Sequence, residues 1–83
     1  MIKMYHWWAS WCSPCKIAEP IWVKFKSLHP EIEFHDIDAD VDDPITRKYT
    51  VMSIPNFIAE KEDGTSKQYI GVPKLEDLEA LLS

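Results

Sequence analysis

Cys12 and Cys15 are the only cysteines of the chain, and they stand two residues apart in Trp11-Cys12-Ser13-Pro14-Cys15-Lys16, after an apolar run and at an expected helix start. A pair at this spacing can carry dithiol-disulfide chemistry. The first cysteine lies near a helix N-terminus, where unpaired backbone N–H groups and the positive end of the helix dipole stabilise a thiolate. Cys12 is therefore the expected nucleophile. Pro14 falls in the first turn, where a missing N–H costs little and a fixed φ favours the helix, so the loop is stiff before any disulfide closes. Cys15 is left within reach as the resolving thiol. A thiol of pKa about 8.5 is only about 3% ionised at pH 7, whereas a pKa near 7 makes it about half thiolate, a difference of about 2 kcal/mol.

Such a site needs a small scaffold, and the composition supplies one. At 83 residues the chain is expected to form a single domain over 1–83 with one compact core. Hydrophobic residues make up 46%, with four Trp, which argues for a packed globule. A net charge of −5 gives no basic footprint for nucleic acid or an anionic membrane surface. No run approaches the ~18 apolar residues of a membrane span, and the N-terminus has no secretory pattern. The expected compartment is the cytoplasm, where closely spaced cysteines are more often catalytic or metal-binding than structural.

The elements that must position the motif can be read in order. Ile2 to Trp8 suits a strand, with Ile2, Met4, His6 and Trp8 on one face and Lys3, Tyr5 and Trp7 on the other. Ser13 to about Leu28 suits a helix with Ile17, Ile21, Phe25 and Leu28 as its apolar positions, kinked at Pro20 and stopped by His29-Pro30. A strand over Glu31 to Asp38 is followed by an acidic loop, expected to be solvated, and a short helix over Pro44 to Tyr49. Asn56 to Ala59 and Ser66 to Ile70 flank a hairpin turn at Asp63-Gly64, and Lys74 to Leu82 suits a final amphipathic helix. Trp7, Trp8 and Trp22 are expected in the core and Trp11 at the surface. The predicted architecture is α/β, in the order β-α-β-α-β-β-α: a mixed four-stranded sheet with helices on both faces.

With these elements in place, the chain resembles the thioredoxin family over nearly its whole length. The resemblance rests on Trp8-Ala9-Ser10-Trp11-Cys12-Ser13-Pro14-Cys15-Lys16, Pro20, Asp36-Ile37-Asp38, Ile54-Pro55 and Gly71, in the family's order. It implies a thioredoxin fold and a cis Pro55 opposite the cysteines, with the Ile54 backbone pairing an extended substrate peptide. Trp11, Ile54, Pro55, Gly71 and Val72 would rim the groove around Cys12, with Ser13 and Pro14 on the same substrate-contacting surface. It also implies disulfide-containing protein substrates, and recycling by a thioredoxin reductase or a glutathione system. The redox-active disulfide is the only redox group needed, without metal or organic cofactor, in a monomer.

Three departures bear on mechanism. The family's additional N-terminal strand and helix are missing, so the chain reads as a truncated, mini-thioredoxin or glutaredoxin-like version. His6 stands where the family commonly carries a buried Asp that assists proton transfer at the second cysteine. Phe34 stands where a Lys often accompanies that Asp. Losing both members together is one coupled change, since removing one would strand a buried charge at about 3–5 kcal/mol. His6 is either the replacement base near Cys15 or a core histidine satisfied by a backbone partner. Ser13 replaces a frequent Gly and leaves the redox potential open.

Two other chemistries share some of these residues. Cys12 and Cys15 followed by His29 and His35 match a zinc spacing, but Pro30 separates the histidines from any common helix and His35 falls in an expected strand. Asp36, Asp38 and Asp40 imitate the start of a calcium loop whose later positions, Val41 and Arg47, do not fit. The expected function is a thiol-disulfide oxidoreductase reducing protein disulfides through Cys12 and Cys15. The alternatives are a redox-inactive docking module of the same fold and a structural zinc domain.

Overall fold

The computed structural model describes residues 1–83. Its elements are β1 (Lys3–Trp8), α1 (Ser13–Leu28), β2 (Glu33–Asp38), α2 (Pro44–Lys48), β3 (Asn56–Glu60), β4 (Ser66–Ile70) and α3 (Leu75–Ala80). The sheet order is β2-β1-β3-β4, with β1 parallel to β2 and antiparallel to β3, and β3 antiparallel to β4. A helical crossover separates the one parallel pair, as the loop length demands, and a hairpin closes the last antiparallel pair. Lys61 N–H donates to the Thr65 carbonyl at 2.8 Å, Asp63 Oδ1 accepts from Thr65 N–H at 2.9 Å, and Gly64 supplies the φ of +88° that the turn needs.

The period-2 pattern of β1 separates two cores. Met4 packs with Ala18, Trp22, Phe25, Ile32, Phe57, Ala59, Leu78 and Leu81 under α1 and α3. On the opposite face Tyr5, Trp7, Ile37 and Ile58 meet Ile45, Tyr49 and Val51 of the α2 region. Helices therefore cover both faces, as the pattern predicts.

The buried stripe of α1 differs from the expected one. Cys15, Ala18, Trp22 and Phe25 face the sheet, while Ile17 and Leu28 are 64% and 51% exposed. Each expected position at 17 and 21 is adjacent to one at 18 and 22, so a stripe rotated by one residue keeps the same period; the bulky Trp22 selects the rotated one. α1 continues through Pro20 to Leu28. Trp8 is half-buried instead of a core residue, while Trp7 and Trp22 are fully buried.

His29 caps the far end of α1 and joins it to α3. Its Nε2 lies 2.8 Å from Glu79 Oε2, and its Nδ1 lies 3.2 Å from Glu31 Oε1. The Glu79 bond, more than any other contact, raises the His29 pKa above its ordinary value. The stability this clamp adds is complete below the unfolded histidine pKa of about 6.5 and is lost as pH rises through the higher folded value. Urea midpoints between the two limits should fall with rising pH by an amount equivalent to about 0.5–1 kcal/mol, and His29→Gln should flatten that part of the profile.

Candidate dithiol active site

β1 delivers the chain to the start of α1 through a tight turn, in which Cys12 N–H donates to the Ala9 carbonyl at 3.1 Å. Cys12 is the N-cap of α1, with φ −92° and ψ 101°, and its Sγ accepts from the Cys15 N–H at 3.3 Å. A sulfur in that position receives one of the amides that a helix leaves without a backbone partner. Cys12 and Cys15 are joined as a disulfide with Cα atoms 5.3 Å apart. Both residues are 4% exposed, and the N-cap geometry is what sets Cys12 apart from Cys15, because it places the amide and the positive end of a 16-residue helix at Cys12. Ser13 and Pro14 form the exposed first turn.

Two further segments reach this turn. Ile54 packs on the cluster of Ala9, Cys12 and Cys15, and its bond to the buried Pro55 is cis, as expected. The Pro55 carbonyl accepts from Gly71 N–H at 2.9 Å, which ties the Ile54-Pro55 segment to the end of β4. Gly71 has φ +105°, a conformation side-chain-bearing residues rarely adopt, although a Cβ there would meet nothing within 4 Å. Val72 follows it, 38% exposed. Trp11 is 66% exposed, and its indole N–H donates to Asp40 at 3.0 Å. The acidic loop after β2 is thus more than a solvated link: Asp38 accepts the Asp40 N–H at 2.9 Å, and Asp40 holds the tryptophan beside the cysteines. Sequence reading missed Asp40, because its role depends on a contact 29 residues away.

His6 is fully buried beneath α1, stacked on Phe57 at 4.5 Å between ring centres and 5.1 Å from Trp22. Its polar partner is a side chain and not the backbone: Nδ1 lies 3.2 Å from Asp36 Oδ1, while Nε2 has no hydrogen-bond partner. Asp36 faces His6 across the β1/β2 register and also accepts from Trp22 Nε1 at 2.7 Å and Lys26 Nζ at 3.2 Å. The His6 bond above all, then Trp22 and Lys26, hold the Asp36 carboxyl down at about 2. The family's missing Asp–Lys pair has therefore not left an empty apolar site, and the contact between His6 and Asp36, 30 residues apart, is what local reading could not find.

The zinc arrangement does not assemble. His29 sits at the opposite end of α1 from the cysteines, about 20 Å away at 1.5 Å per residue, and is held by Glu79 and Glu31. His35 lies on β2, stacked on Tyr5 and bonded to Glu33.

A dithiol at a helix N-cap, a facing cis-proline segment and a central parallel-antiparallel sheet define a thiol-disulfide oxidoreductase of the α/β class. The family model "Thioredoxin" matches residues 2–83. The chain is 34% identical over 77 residues to the thioredoxin of Alicyclobacillus acidocaldarius, covering 92% of this chain and 73% of that one. It is 32% identical to an H-type thioredoxin of Picea mariana, covering 86% of this chain and 56% of the relative. The crystal structure of thioredoxin from Trypanosoma brucei brucei superposes with a TM-score of 0.86 at 28% identity, over 99% of this chain and 72% of that one. The chain belongs to the thioredoxin family. Its activity is thiol-disulfide exchange at Cys12 and Cys15.

Gly71→Ala tests the backbone requirement of the rim. With room for the Cβ but an unfavourable φ, it should cost about 1–2 kcal/mol in chemical denaturation without a packing defect.

Proposed function

We propose that the chain works as a reductant of protein disulfides with Cys12 as the nucleophile; the observation that carries the nucleophile is the Cys15 amide donating to Cys12 Sγ at the N-cap of α1, and the thioredoxin relatives support the reducing direction. Cys12 thiolate attacks a substrate disulfide, one substrate sulfur leaves with the electron pair of the broken bond, and a mixed disulfide remains. Cys15 then attacks Cys12 Sγ, the second substrate sulfur leaves, and the Cys12–Cys15 disulfide forms. Two electrons pass from the dithiol to the substrate, and a thioredoxin reductase or glutathione system returns them. This gives the chain a place in electron transport and cell redox homeostasis.

The rim supports an extended peptide as the bound form of the substrate. Trp11 offers an exposed aromatic face, Ser13 and Pro14 the first-turn surface, and Ile54, Gly71 and Val72 the opposite side, with Pro55 beneath. We assign His6 as the group that takes the Cys15 proton: it lies under the same helix face that begins at Cys15, and its Nε2 is free. In this reading the chain is one domain over 1–83 that acts as a monomer in the cytoplasm. No helix is long and apolar enough to cross a membrane.

Cys12→Ser should abolish turnover of a disulfide substrate, and Cys15→Ser should accumulate the mixed disulfide, read by mass spectrometry. The reduction potential decides the direction. A value near about −270 mV supports the reductant, whereas one between about −180 and −120 mV makes the chain an isomerase or oxidant. His6→Leu should alter the pH dependence of reduction between pH 6 and 8, and an unchanged profile removes His6 from proton transfer.

A further inference from the structure

Three donors converge on Asp36: His6 Nδ1, Trp22 Nε1 and Lys26 Nζ. A carboxylate can only accept, so the His6 nitrogen facing it must carry the proton. In the neutral ring that leaves Nε2 with a lone pair and no hydrogen, and Nε2 is the buried side-chain atom without a partner. The opposite tautomer would turn two acceptors toward each other at Asp36 and strand an N–H in the core, at a cost of about 1–3 kcal/mol.

We propose that Asp36 is a positioning residue for thiol-disulfide exchange, holding the His6 proton on Nδ1 across the β1/β2 pairing and so keeping Nε2 as the buried lone pair that receives the Cys15 proton. The proposal rests on the assignment of His6 as that acceptor. In the step itself the Cys15 S–H bond breaks and its proton goes to Nε2. The sulfur's electron pair forms the bond to Cys12 Sγ, and the substrate sulfur leaves as a thiolate that is protonated from solvent. The cation formed at His6 has the Asp36 carboxylate as its counter-charge, which a neutral partner could not provide.

The surroundings of His6 isolate this effect. β2 contributes Asp36, and α1 contributes Trp22, with Lys26 reaching the ring only through Asp36; β3 contributes the uncharged Phe57. Asp36 is 42% exposed and lines an open cleft with Trp8 and Glu19. Trp8 and Glu19 also line the neighbouring cleft that contains Cys15 and Lys16. Solvent thus reaches the Asp36 carboxylate, while Nε2 is buried.

Nitrogen–proton correlation spectra of the neutral His6 ring in the oxidised protein test the proposal directly. The native protein should show the Nδ1–H tautomer alone, and Asp36→Asn should lose that exclusivity. The second readout is the pH dependence of Cys15 attack on a thionitrobenzoate mixed disulfide at Cys12, followed by dye release. Its midpoint should move down by about one pH unit in Asp36→Asn, because the ring has lost its counter-charge. An Nε2–H tautomer in the native protein, which needs no variant to detect, overturns the proposal, as does an Asp36→Asn protein with both readouts unchanged. A native Nδ1–H tautomer combined with a His6→Leu profile that coincides with the native one shows that the His6 assignment has failed, and the relay with it.

Discussion

Everything at the site depends on how α1 lies on the sheet. The stripe Cys15, Ala18, Trp22 and Phe25 presses the helix against the sheet, with Trp22 and Phe25 fully buried. Full burial of each such aromatic contributes about 2–3 kcal/mol, so the helix has little freedom to rotate. Because Cys15 belongs to that stripe, the first turn is held with it, and Cys12 is delivered to the N-cap where the Cys15 amide meets its sulfur. The reactive geometry is thus a by-product of core packing, not of the motif alone. A Cys-x-x-Cys on a mobile loop would lack both the directed amide and the helix dipole.

A second constraint comes from strand register. His6 pairs with Asp36 on one side and Phe57 on the other, so the sheet itself supplies the histidine with an ionic neighbour and an aromatic floor. Trp22 contributes to both systems, packing in the core through its ring and donating to Asp36 through its indole N–H. A buried histidine is tolerable here because one nitrogen is bonded to an anion that is partly solvated, which avoids the desolvation cost of a closed ion pair. The remaining nitrogen is left free close to the helix that carries the dithiol.

Much of this was legible in the sequence because it is local. The strand alternation around His6, the cysteine spacing at a helix start, the Asp63-Gly64 turn and Ile54-Pro55 each carry a signal within a few residues. The misreadings arise where a contact joins distant segments. Ile17 and Leu28 have the right period for a core stripe, but the choice between two adjacent stripes is made by the sheet beneath. Asp36 and Asp40 read as members of an acidic strand end and loop; only the fold shows that one faces His6, 30 residues away, and the other Trp11, 29 residues away. Charge patterning cannot distinguish a solvated aspartate from one bonded to a buried histidine or to the tryptophan beside the cysteines.

The most direct test of the account is the pH dependence of alkylation of the fully reduced protein, with mass spectrometry locating the modified sulfur. The geometry predicts that Cys12 reacts first, with a midpoint below the free-thiol value of about 8.5, while Cys15 is modified more slowly. A Cys12 midpoint at or above about 8.5, or Cys15 reacting first, would contradict the claim that the α1 N-terminus creates the nucleophile.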